Sequence, residues 1–180
     1  LKYALYVIFH PFDGFWDLKH EKRGSAAAAS SLVLLVIVIY ILTKQYTGFI
    51  FNYNDLSKLN IYMELLSIAI PFILWVGVNY ALTTLMEGKG TIKDVYIATA
   101  YALTPIILIL LPLLPISHLL TMEEGAFYNL IFAFALIWTA VLIIVSVLIT
   151  HEYDMTKALL TCILTIIGIV VVIFIVMLFF

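Results

Sequence analysis

The chain has 180 residues, of which 65% are apolar and 11% charged, against roughly 45–50% and about 25% in soluble domains. That charge cannot cover a water-exposed surface, and a net charge of −2 supplies no field that would hold nucleic acid. One cysteine, Cys162, excludes an intrachain disulfide and a cysteine-based zinc site. The pattern is that of a protein solvated by lipid.

Residues 1–9 (LKYALYVIF) are apolar and too short to cross a bilayer; they either extend the next element or pack under a bundle. His10–Ser25 (HPFDGFWDLKHEKRGS) is the most distinctive polar stretch. Pro11 suits a first helical turn. Phe12, Phe15 and Trp16 fall at i, i+3 and i+4, with Asp13, Asp17, His20 and Glu21 largely opposite and Lys19, Lys22 and Arg23 leading onward. This predicts an amphipathic helix in the membrane interface, its aromatics at headgroup depth. It serves as an anchor or, more specifically, as a docking surface formed by Phe12, Phe15 and Trp16.

A spanning helix needs about 20 apolar residues, and five runs qualify: 25–43, 63–86, 95–114, 126–150 and 157–180. The fold expected is all-α, an integral membrane bundle of five transmembrane helices (25–180) behind an interfacial segment (1–24). The first span opens on Ser25-Ala-Ala-Ala-Ala-Ser-Ser31. Helix association in lipid relies on small side chains, so Ser25 and Ala29 should cross Ala98 and Ala102 of the third span closely. Pro71, Pro105 and Pro112 interrupt the second and third spans, and neighbours should satisfy the carbonyls they free; Pro115 ends the third. Asn79 and Tyr101 each lie about 10 Å from the same end by helical rise. With Thr83 and Thr104, beside Pro105, they are expected to form one interhelical polar cluster.

Orientation follows from Lys and Arg. Lys2, Lys19, Lys22, Arg23, Lys89, Lys93 and Lys157 fall on one side, against Lys44 and Lys58 on the other. This sets the N-terminus in the cytoplasm and the C-terminus outside. The first span is too long, and lacks the small-residue pattern, for a cleaved signal peptide. The chain opens on Leu1 rather than Met, which leaves room for a preceding soluble segment.

Chemical motifs are sparse. His10, His20, His118 and His151 are scattered, and His151-Glu152-Tyr153-Asp154 reads as a solvated loop. Gly88-Lys89-Gly90-Thr91 lacks phosphate-loop spacing and reads as a tight turn. Glu123 and Glu124 are adjacent and do not face each other. No span carries an ionisable group at its centre, Glu64 lying at an interface, and no inverted repeat is evident, which weighs against a secondary transporter. Cys162 packs as a small apolar residue. No catalytic site, metal or cofactor is expected, and the sequence identifies no small-molecule substrate. The leading expectation is a non-enzymatic adaptor that binds other integral membrane proteins, with Lys89 and Lys93 joining the aromatic face as contacts. A permease-like subunit or channel, built on the proline-broken spans and the Asn79/Tyr101 cluster, is the alternative. An intramembrane enzyme using His151 with Asp154 is a third.

The five-span plan, the HPFDGFWDLKHEKRGS stretch and GKGTIKDVYIATAYALTP (Gly88–Pro105, with Tyr101 and Pro105 as Tyr-x-x-x-Pro) together resemble the Yip family of polytopic membrane proteins, over nearly the whole chain. A long polar N-terminal domain and an Asp-Leu-Tyr-Gly-Pro motif are missing, so the resemblance is to the bacterial branch and does not carry Rab binding. It implies a bacterial plasma-membrane protein without enzymatic activity, possessing an adaptor role beside a larger complex such as a transporter.

Overall fold

In the computed structural model, residues 2–52 and 59–179 are described. Lys58 of the charge count and the chain ends Leu1 and Phe180 lie outside the described residues. Eight α-helices follow in order: α1 (Lys2–Phe9), α2 (Pro11–His20), α3 (Ala26–Tyr46), α4 (Ile61–Leu85), α5 (Ile92–Ala102), α6 (Thr104–Ile116), α7 (Gly125–His151) and α8 (Met155–Phe179), with a 3-10 turn at Met122–Glu124. Helices α3, α4, α7, α8 and the α5–α6 pair are long and apolar enough to cross a membrane, so four apolar runs became one helix each and the third became a pair of helices, all within a few residues of the expected ends.

The third span is two helices, with the break at Leu103. Pro105 cannot donate to the carbonyl of Tyr101, four residues back. Thr104 Oγ1 donates to that carbonyl instead, at 2.6 Å, so the freed acceptor is satisfied within the kink. Pro115 does not end the span: α6 runs through Pro112 and Pro115 to Ile116.

The core lies where α3, α5, α6 and α7 meet. Ala29, Ala98 and Ala102 are buried in it, and Ser30 Oγ lies 2.7 Å from the Tyr96 hydroxyl across the α3–α5 contact. Ser25 caps α3, accepting from Ala28 N–H at 3.1 Å. Helix α8 leans on α4 and α7, and its outer half is exposed apolar surface suited to lipid. Opposite the basic residues, Gly48 N–H donates to Ser117 Oγ at 2.8 Å and His118 Nε2–H to the Tyr46 carbonyl at 2.7 Å. These bonds staple the loop after α3 to the end of α6.

The N-terminal segment packs under the bundle. Helix α1 buries Ala4, Val7 and Ile8, and α2 lies against α5 and α7. The two helices cross at Gly14, where a Cβ would stand 2.9 Å from the Val7 Cα. Tyr3 clamps the crossing, its single hydroxyl proton shared between the Gly14 carbonyl at 2.9 Å and Asp17 Oδ2 at 3.1 Å. Burial, and then the Asp17 acceptor, push that phenol well above its ordinary pKa.

Candidate functional site

Three segments far apart in the chain meet at the basic end of the bundle: α2 with the turn after it, the loop joining α4 to α5, and the turn joining α7 to α8. Glu152 ties them together. Its Oε1 takes Lys19 of α2 at 2.8 Å, and its Oε2 takes Lys89 of the α4–α5 loop at 2.6 Å. His20 Nε2 stands 3.7 Å from the same carboxylate. Hydrogen bonds from Lys19 and then Lys89 hold the Glu152 pKa down to about 2. Arg23, on the neighbouring turn, pairs with Glu21 at 2.5 Å and Asp17 at 3.4 Å.

The backbone under these contacts is unusual. Among the described residues, the non-glycine positions with positive φ are Lys22 (51°), Glu87 (60°) and Glu152 (55°), one in each of the three turns. Left-handed backbone is uncommon outside glycine, asparagine and aspartate, and its outliers concentrate at functional sites.

Close packing explains the loop glycines. Neither Gly88 nor Gly90 has positive φ. A Cβ on Gly88 would lie 2.6 Å from His151 Nδ1 and 2.8 Å from the Tyr153 hydroxyl; one on Gly90 would lie 2.7 Å from Thr150 Cγ2 and 2.9 Å from the Thr150 carbonyl. Gly88 N–H donates to the Thr83 carbonyl at 2.7 Å. The Tyr153 hydroxyl closes the end of α4, donating to the Met86 carbonyl at 3.2 Å, with the Thr83 carbonyl at 3.3 Å. Thr91 and Asp94 form a capping box that starts α5. The tight turn expected over Gly88–Thr91 is therefore wedged onto the end of α7.

His151 is not in a solvated loop. It is the last residue of α7, 1% exposed, stacked on Tyr153 at 5.5 Å between centroids, and neither ring nitrogen has a hydrogen-bond partner among the described residues. Sequence reasoning missed this because nothing in the tetrapeptide His-Glu-Tyr-Asp shows that a glycine loop covers its first member. The Gly-x-Gly spacing was the available signal.

The aromatic face of α2 divides. Phe12 and Trp16 are about half exposed, whereas Phe15 is 1% exposed and lies inside the bundle with Gly14 and Leu18. At about 100° per residue, positions 12 and 16 are some 40° apart, and position 15 falls about 60° to the side of 12, on the stripe turned toward α7. Phe15 is a core residue and is not free to touch a partner. Trp16 stacks on His20 at 4.2 Å. Lys93 is exposed and, among the described residues, has no acidic partner, unlike Lys89.

The four-residue polar cluster is two separate sites. Asn79 and Thr83, both buried, face α8: Asn79 Nδ2 donates to Thr165 Oγ1 at 3.1 Å and Thr83 Oγ1 to the Asn79 carbonyl at 2.8 Å. Tyr101 and Thr104 belong to the kink beside Pro105, with Tyr101 edge-on to Tyr3. Equal depth brought them to one level but not to one face.

Five apolar helices around a buried helical core, with polar turns gathered at one end, make this a multi-pass helical membrane protein. The model of the Yip1 domain matches residues 5–177, and the chain belongs to that family. No curated protein and no solved structure matches it.

Proposed function

We propose that the protein is a non-enzymatic membrane adaptor that binds other integral membrane proteins through the outer stripe of α2, as an accessory of a membrane transport complex. The observation that carries this reading is the split of α2. Its inner stripe (Gly14, Phe15, Leu18) is locked into the bundle, while Phe12 and Trp16 stand outward on the rigid platform this creates. Exposed aromatics on a fixed element are the residue types that dominate interface energetics. The clustering of Lys and Arg at this end supports placing it in the cytoplasm, and the short loops support a bacterial plasma membrane. The transport alternative rests on the proline-broken spans and on Asn79 and Tyr101 forming one polar cluster; Asn79 bonds to Thr165 and Tyr101 packs on Tyr3, so that cluster does not support it.

The test is photocrosslinking in native membranes from positions 12 and 16, with position 159, a lipid-facing site on α8, as the control. Discrete protein adducts from α2 and lipid adducts alone from α8 are expected. Lipid adducts alone from all three positions would refute the adaptor reading.

A further inference from the structure

A cleft of about 420 Å³ opens at the same end, between α2, the turn after it, the start of α5 and Glu152. Four lysines line it: Lys19 and Lys22 from α2 and the turn after it, and Lys89 and Lys93 from the α4–α5 loop and the first turn of α5. Two carboxylates, Asp94 and Glu152, stand against them, leaving an excess of two positive charges before His20 is counted. Glu152 is already shared between Lys19 and Lys89. Asp94 is engaged by the Thr91 backbone and hydroxyl at 2.9 and 2.7 Å. Lys22 and Lys93 therefore face the cleft with no acidic partner among the described residues. Lys22 is held there by left-handed backbone, and the first turn of α5 adds the positive end of a helix dipole.

The height of the cleft narrows the ligand. Gly24 on its wall is two residues before α3 begins, Lys89 follows the end of α4 by four residues, and Glu152 directly follows α7. All three apolar spans stop at this level, which is where a bilayer carries its headgroups. The anionic group that lipids present at this depth is phosphate, and clustered lysines bind phosphate as point charges.

We propose that this cleft is a binding site for a phosphate group, with Lys22 and Lys93 as the residues that hold it and Lys19, Lys89 and His20 completing its wall. A membrane lipid headgroup and a soluble phosphate share this chemistry. The inference does not depend on the adaptor reading, which uses the outer stripe of α2.

The test uses the full chain in detergent, titrated with dioctanoyl phosphatidylglycerol or dioctanoyl phosphatidylcholine and read by native mass spectrometry. Both lipids carry a phosphodiester, but the choline cation of the zwitterionic one is repelled by the cleft's uncompensated lysines, so the anionic lipid is expected to bind at least ten-fold tighter. The double variant Lys22→Gln, Lys93→Gln should lose at least ten-fold of anionic binding with unchanged melting temperature. The double variant Lys22→Arg, Lys93→Arg should retain binding, and Lys2→Gln, outside the cleft, should have no effect. Equal binding of the two lipids, an effect of the glutamine variant below two-fold, or an equal loss in Lys2→Gln would overturn the proposal. Competition with inorganic phosphate identifies the source: displacement of the lipid at comparable concentration supports a soluble anion in the site, and retention of the lipid supports a headgroup.

Discussion

Replacing Phe15 with alanine separates the two roles that one aromatic face was expected to share. Phe15 is 1% exposed, so truncation empties a complete phenyl site, and such losses in packed cores cost about 3–5 kcal/mol. Phe12 is 54% exposed, so Phe12→Ala removes a side chain that keeps about half its surface outside and should cost under about 1 kcal/mol. Phe15 joins α2 to the bundle, so the loss should appear as local detachment of that helix. At about 1.4 kcal/mol per factor of ten, the lower figure of about 3 kcal/mol multiplies the detached population by roughly one hundred. Trypsin supplies the assay, because Lys19, Lys22 and Arg23 lie at the end of α2 and in the turn after it. Limited proteolysis in nanodiscs should cut Phe15→Ala there about a hundred times faster than the parent, and Phe12→Ala within a few-fold. Equal cleavage of the two variants would refute the placement of Phe15 as the residue that docks α2.

Three further outcomes follow from the same geometry. Gly90→Ala should lower the melting temperature, because its Cβ meets the Thr150 carbonyl at 2.9 Å, with overpacking costing about 1–3 kcal/mol; Gly77→Ala, with nothing within 4 Å among the described residues, should be neutral or stabilising. The Glu152 carboxylate has a folded pKa of about 2 against an ordinary 4.5, so its contribution is fully present above pH 4.5 and fades as pH falls toward 2. A melting-temperature series over that range should therefore fall more steeply for the parent than for Glu152→Gln, and high salt should shrink the difference. A double-mutant cycle of Asn79→Leu with Thr165→Val, measured by unfolding in mixed micelles, should return about 0.6 kcal/mol of coupling, the size typical of hydrogen bonds between membrane helices.

The spans were legible because about 20 consecutive apolar residues have few other physical uses. Depth was legible too, since counting residues along a helix places Asn79 and Tyr101 at one level. Azimuth was not. Whether Asn79 faces α5 or α8 depends on which helices lie beside α4, and α4 is apolar all round, so no polar stripe marks its inward side. The same ambiguity hid the role of Phe15: an i, i+3, i+4 face is wide enough to straddle two environments, and Gly14 and Leu18 show which edge turns inward only once α7 is beside them. The kink at Leu103 was signalled by Pro105, whereas Pro71 and Pro112 carried the same signal and left α4 and α6 continuous. The candidate site was hardest to read because its parts lie in three segments: Lys19 and Lys89 meet through Glu152 across 133 and 63 residues of chain.

That separation also shapes what the junction can do. Trp16, on the outer stripe of α2, stacks on His20; His20 lines the cleft and stands 3.7 Å from Glu152; and Glu152 holds Lys19 and Lys89. A surface that could receive a protein and a cleft that could receive phosphate are thus joined by an unbroken chain of contacts. Phosphate drawn to Lys22 and Lys93 would compete with Glu152 for Lys19 and Lys89, loosening the carboxylate that His20 faces. If phosphate binding changes affinity at the outer stripe, reciprocity requires that a partner seated there change phosphate affinity by the same factor. The three left-handed turns hold these groups in register. A glycine substituted for Glu152 would keep that turn while removing the carboxylate, and so separate the contribution of its shape from that of its charge.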